Sequence, residues 1–178
     1  LIRGTASLQY GTQFGGMINF NIKKPTKNKL IDLTTINTFS SYNIFTNFTR
    51  ISGTNNQFSY SSFFKHMQGD GFRPNSDFVS DNFYAFISYD VDSAMSTSFE
   101  ITYLKYLAHQ PGGLTDEMFN ADIFQSNRER NWFEVNWLLY NFKLSYSFSD
   151  KTNAIISTYY LDAHRFSVGF RSNRVDQI

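Results

Sequence analysis

The chain has 178 residues, no Cys, three Pro and a net charge of +1, which excludes a disulfide framework, thiolate metal sites and bulk electrostatic attraction to nucleic acid. Aromatic residues make up 19% of it, 20 of them Phe and 11 Tyr, yet mean hydropathy is slightly negative. No run reaches the roughly 18 apolar residues of a spanning helix. A membrane β-strand escapes that test because its apolar residues alternate with polar ones, and the aromatic excess is what interfacial girdles use.

The first stretch, Arg3-Gly4-Thr5-Ala6-Ser7-Leu8-Gln9-Tyr10-Gly11-Thr12-Gln13-Phe14-Gly15-Gly16-Met17-Ile18-Asn19-Phe20, is punctuated by glycine and leads into a strand. Gly11, Gly15 and Gly16 read as tight turns or close packing; a phosphate cradle would need a strand, glycine loop and helix at other spacings. Pro25 and the basic run from Lys23 to Lys29 read as a solvated linker. No charged and apolar leader stands at Leu1, so the chain reads as an internal piece of a longer exported precursor.

Strands are expected at about 30–39, 43–52, 57–66, 79–91, 96–108, 132–148 and 153–164. Phe83, Ala85, Ile87, Tyr89 and Val91 alternate with Asn82, Ser88 and Asp90, and Phe99, Ile101 and Tyr103 with Ser98, Glu100 and Thr102. One face is apolar and the other polar, as a wall with lipid outside and water inside requires. In 132–148 the apolar set starts on odd positions (Phe133, Val135, Trp137, Leu139) and continues on even ones (Phe142, Leu144, Tyr146, Phe148). That change of parity predicts a bulge near Leu139–Asn141.

Connections alternate in length after the first hairpin. Gly53-Thr54-Asn55-Asn56, Asp92–Met95 and Ser149-Asp150-Lys151 are short, whereas 67–78, 109–131 and the tail after His164 are long. Outer-membrane barrels put short turns on the periplasmic side and long loops outside. A soluble β-sandwich also alternates, but its strands run about 5–6 residues and it would have to cover Phe83 and Phe86 on opposite faces of one strand. The expected fold is therefore all-β, part of a transmembrane antiparallel β-barrel.

The segment from Arg3-Gly4 to Gly15-Gly16-Met17-Ile18-Asn19-Phe20 resembles the end of the plug in TonB-dependent outer-membrane receptors, and the remainder resembles the first strands of their barrel. A second block resembles an outer loop of the ferric-citrate-type subgroup: Gln110-Pro111-Gly112-Gly113-Leu114-Thr115-Asp116, then Phe119-Asn120-Ala121-Asp122 and Gln125-Ser126-Asn127-Arg128, with Ile123 where that pattern has Pro. The resemblance implies the last plug strand in 1–27 and, in 28–178, about seven strands of a 22-stranded barrel. It further implies a receptor in the outer membrane of a Gram-negative bacterium. The receptor would take up a citrate-like ferric chelate with energy from a TonB–ExbB–ExbD complex, engaged through a region upstream of Leu1. The ferric chelate is cargo; no resident cofactor is expected. Other siderophores, cobalamin or a glycan are alternative cargoes.

An anionic chelate calls for arginine, whose planar fork binds carboxylates bidentately. Arg73, Arg128, Arg130, Arg165, Arg171 and Arg174 lie in or beside the long loops, with Arg128 and Arg130 the leading pair, and Gln110 and Asn127 could add neutral hydrogen bonds. The competing reading is that these arginines are solvated or paired with neighbours such as Asp122 and Glu129, pairs that contribute about 0–1 kcal/mol. Gly112 and Gly113 read as turn residues. No enzyme is expected: His66, His109 and His164 have no metal-site spacing, and no Ser has a nucleophile-elbow setting.

Overall fold

The computed structural model describes residues 21–169. Residues 1–20 of the expected plug segment 1–27, together with Arg171 and Arg174, lie outside them, and 21–27 form no strand. Seven strands follow in chain order: β1 (Asp32–Ser40), β2 (Ile44–Asn55), β3 (Phe58–Gly69), β4 (Phe78–Asp90), β5 (Met95–His109), β6 (Trp132–Ser149) and β7 (Thr152–Val168). One short helix, α1 (Asp116–Ala121), interrupts the β5–β6 connection. The strands form one antiparallel sheet in the order β1-β2-β3-β4-β5-β6-β7, each paired with its chain neighbour, as the alternating pattern predicts. Among the described residues no helix is long and apolar enough to cross a membrane, which says nothing of strands.

Turn chemistry closes the short ends. Asn56 takes the left-handed conformation (φ 52) in the β2–β3 turn, which asparagine tolerates better than most residues. In the β4–β5 turn the Asp92 carboxylate accepts from the backbone N–H groups of Ala94 and Met95 at 2.7 and 2.8 Å. The β6–β7 turn is equally short. Connections 70–77 and 110–131 emerge at the opposite end, so the long loops share one edge of the sheet with the β1–β2 hairpin.

Register divides the sheet into two faces. Arg50, Ser52, Ser61 and Tyr84 belong to one of them, against which the incoming linker packs. The other face carries Ile87, Phe99 and Phe142 opposite one another in successive strands, with Ala85, Ile101, Tyr140 and Tyr160 in the next row. Its apolar side chains are left exposed, for example Ile87 at 46% and Tyr160 at 65%. An apolar face that no protein layer covers is what a lipid-facing wall presents.

Two expectations are corrected. No bulge occurs near Leu139–Asn141: β5–β6 pairing runs unbroken from Met95↔Tyr146 to His109↔Trp132, and the one β6–β7 register shift falls at Ser147/Ser149. The apolar residues therefore change face, from the linker side near the long loops to the uncovered side near the short turns. At 18 residues, β6 is far longer than the about 9–11 that cross a bilayer, so its two ends lie in different surroundings. Gly53 is not a turn residue either. It lies within β2, and a Cβ there would stand 2.0 Å from the Leu30 carbonyl oxygen, so glycine is needed for the close passage of the linker.

Candidate functional site

The long-loop edge is held together by hydrogen bonds between two connections distant in sequence. Asn75, in the 70–77 loop, sits at φ 57, and its amide Nδ2 lies 3.2, 2.7 and 3.0 Å from the carbonyl oxygens of Gln110, Arg128 and Asn131. The amide thus grips both ends of the 110–131 loop at once. Arg73 Nη2 donates to the Gly112 carbonyl at 2.6 Å while its guanidinium lies over the Phe72 ring. Phe72 meets Tyr42 of the β1–β2 hairpin on one side and Phe124 of the 110–131 loop on the other, both edge-on at 6.4 and 6.5 Å.

Within the 110–131 loop the strand ladder is prolonged by Gln110 N–H donating to the Asn131 carbonyl. Asn127 closes the tip: its N–H donates to the Pro111 carbonyl at 3.1 Å and its Nδ2 to the Gly113 carbonyl at 2.6 Å. Gly112 has φ +78, and a Cβ there would fall 2.0 Å from Asn127 Oδ1, which explains glycine at this point of the Pro-Gly-Gly block. Thr115 caps α1, its hydroxyl accepting from Met118 N–H. Glu117, in the first turn, has its carboxyl held below the usual range by its own backbone N–H and then by the Thr115 hydroxyl. Asp122 Oδ1 accepts from Phe124 N–H at 2.8 Å, which closes a turn at Ile123 without the proline of the resembled pattern.

The expected ligand residues are distributed over this edge. Arg73, Gln110, Asn127 and Arg128 belong to the joined loops, with Arg128 half-buried and donating to the Asn127 carbonyl at 2.8 Å. Arg130 and the Gln110 side chain are exposed. Arg165 stands apart on β7, its guanidinium over the Phe133 ring at 4.6 Å. Arg73 and Asn127 both spend donors on holding the loop. Sequence reasoning passed over Asn75; the Pro74-Asn75 pair signals a turn with positive φ, but its carbonyl partners lie up to 56 positions away. Among the described residues no cluster of three metal-ligating side chains occurs.

A second constellation sits where the linker meets the sheet. Arg50, only 5% exposed, donates through Nη2 to the Lys24 carbonyl and to Ser52 Oγ, both at 3.0 Å, and through Nε to Ser61 Oγ at 3.2 Å. Ser52 Oγ accepts from Thr26 N–H at 2.8 Å, and the Thr26 hydroxyl donates to Asp32 at 2.9 Å. The lysine side chains of the linker are exposed as expected, but the Lys24 carbonyl and Thr26 are bonded to the wall. A cavity of about 910 Å³ continues from here under the linker, lined by Tyr84, Phe86, Asp90, Glu100 and Lys143.

No protein-family model matches the chain, and no curated protein matches it. Among solved structures, the ferric citrate transporter FecA in its unliganded form is similar, with a TM-score of 0.65 and 21% identity over 75% of this chain and 21% of that one. The chain thus spans about a fifth of that transporter's length. At this identity the likeness shows the fold: an all-β antiparallel sheet matching a piece of a β-barrel of the outer-membrane receptor kind.

Proposed function

We propose that the chain is part of an outer-membrane, TonB-dependent receptor that takes up an anionic ferric chelate of the citrate type. The observation that carries this reading is the joined outer edge. Two long loops on the side opposite the short turns are locked into one platform that bears Arg73, Arg128 and Arg130, on a sheet whose other face is apolar and uncovered. Likeness of fold to a ferric citrate transporter supports the cargo class, as does the Pro-Gly-Gly-Leu-Thr block. A planar guanidinium matches a carboxylate in geometry and charge, and each charge-assisted hydrogen bond contributes about 1.5–3 kcal/mol. Arg50, Ser52 and Thr26 serve in this reading as the joint between the plug and the barrel wall, and TonB is engaged upstream.

The test is growth of an iron-starved host on ferric citrate, with the complete receptor gene carrying either the native sequence or Arg128→Ala/Arg130→Ala. Rescue by the native receptor alone, at equal outer-membrane levels, is the expected result. Rescue by both moves the ligand contacts elsewhere, and rescue by neither refutes the citrate assignment.

A further inference from the structure

The lipid-side face contains a row that departs from its pattern. Reading the register across all seven strands, Asn37 faces Asn47, Asn47 faces His66, His66 faces Asp81, Asp81 faces Lys105, Lys105 faces Asn136 and Asn136 faces His164. Every strand thus places one polar side chain at the same level. Neighbours within the belt are bonded sideways: Asn47 Nδ2 donates to Asn37 Oδ1 at 2.7 Å, and His66 Nδ1 lies 2.7 Å from Asp81 Oδ1. Directly below, towards the short turns, the facing row is Thr35, Thr49, Phe64, Phe83, Tyr103, Leu138 and Asp162, apolar across its middle, with Asp162 Oδ1 lying 3.3 Å from Nε2 of His164 in the belt.

We infer that this belt meets the headgroup layer of the outer leaflet and fixes how deeply the barrel sits in the membrane; the inference rests on the outer-membrane reading above. Strand length supports the level. From Met95 to Leu104, below the belt on β5, is about the 9–11 residues a tilted strand needs to cross. At about 3.4 Å per residue and a tilt of about 45°, that stretch rises about 24 Å, close to the roughly 25 Å height of a barrel's apolar band. Aromatic Phe83 and Tyr103 then fall just inside the boundary, where aromatic side chains gather. The row above the belt is mixed, with Gln68 and Glu134 beside Val79 and Leu107. Moving the boundary up to include it would sink Asp81 and Lys105 into hydrocarbon, an expensive placement for ionisable groups. In the headgroup layer Lys105 and the imidazoles can donate to phosphate oxygens, while Asp81 and Asn136 accept from hydroxyls.

This chain has no cysteine, so single cysteines can carry a fluorophore without competing sites in it. In the complete receptor, cleared of any other cysteine and reconstituted in phospholipid vesicles, Asn136→Cys, Tyr140→Cys and Leu139→Cys would be labelled. Lys105→Cys provides a second reading of the belt on another strand. Quenchers placed at the headgroup, deep in the acyl chain or in water report depth. The expected result is strongest loss of emission by the headgroup quencher at 136 and 105, by the acyl-chain quencher at 140, and by neither lipid quencher at 139. Strongest quenching of 136 and 105 from the deep acyl position, or from water alone, overturns the belt's placement while leaving the barrel in the membrane. Loss of lipid quenching at 140 as well overturns the outer-membrane reading itself.

Discussion

Asn75→Asp isolates the grip of one loop on the other. The replacement keeps the side chain's size and its tolerance of a positive φ, but a carboxylate has no hydrogen to donate to the carbonyls of Gln110, Arg128 and Asn131. An amide has two N–H groups, so two of the three contacts are full bonds at any moment. A net value of about 0.5–1.5 kcal/mol for each gives a loss of about 1–3 kcal/mol in the free energy of loop opening. That corresponds to about 5- to 150-fold faster exchange of the amides that depend on the loop's closure. Amide hydrogen exchange followed by mass spectrometry, on the complete receptor in vesicles, reads this directly over 110–131. Strand amides of β5 and β6 serve as the internal control, because their ladder is unbroken. Unchanged exchange in 110–131 would refute the argument that Asn75 clamps the loop. Faster exchange in the strands as well would mean that the loop is not a separable unit.

Two further substitutions test the wall and the linker. Ile87 and Ser88 are consecutive on β4 and project to opposite faces, Ile87 into the uncovered apolar face and Ser88 into the cavity beneath the linker. Ile87→Arg is expected to destabilise the folded receptor in vesicles by about 2–4 kcal/mol, the mid-membrane cost of arginine, and Ser88→Arg by far less; equal midpoints in urea titration would contradict the assignment of faces. Arg50→Met removes the donors that hold Lys24 and Ser52. Trypsin cleavage after Lys23 or Lys27 is then expected to quicken about 10- to 150-fold, from the loss of one charge-assisted bond of about 1.5–3 kcal/mol, and an unchanged cleavage rate would show that the linker is held by other contacts.

Period-2 alternation made most of this fold legible. Phe83 to Tyr89 and Phe99 to Tyr103 mark β4 and β5 because one side of each strand is apolar and the other polar. The order of short and long connections followed from Gly, Pro, Asn and Asp content, which is local chemistry. The Gly53 error shows the limit of that chemistry, since glycine is also required where another stretch of backbone passes close, and sequence does not record what passes. The outer edge was legible in part. Arg128 and Arg130 sit in the loop that the Pro-Gly-Gly block announces, but the Asn75 clamp joins residues 35 to 56 positions apart. Contacts at that range depend on strand register, which turns and alternation specify only once every strand is placed.

The failed bulge carries the most physical content. Predicting it assumed that a strand has one apolar partner along its whole length, so a change of parity must be a change of register. On β6 the register is constant and the surroundings change instead. Near the long loops Val135, Trp137 and Leu139 face the side on which the linker packs, and near the short turns Phe142, Leu144 and Tyr146 face the uncovered side. The exchange occurs just below Asn136, the β6 member of the polar belt, as it must if that belt marks the edge of the hydrocarbon. Above that level the uncovered face becomes mixed, with Gln68 and Glu134 among Val79, Leu107 and Phe166. On the proposed placement of the belt, a single uninterrupted strand encodes its own depth in the membrane through the parity of its apolar residues.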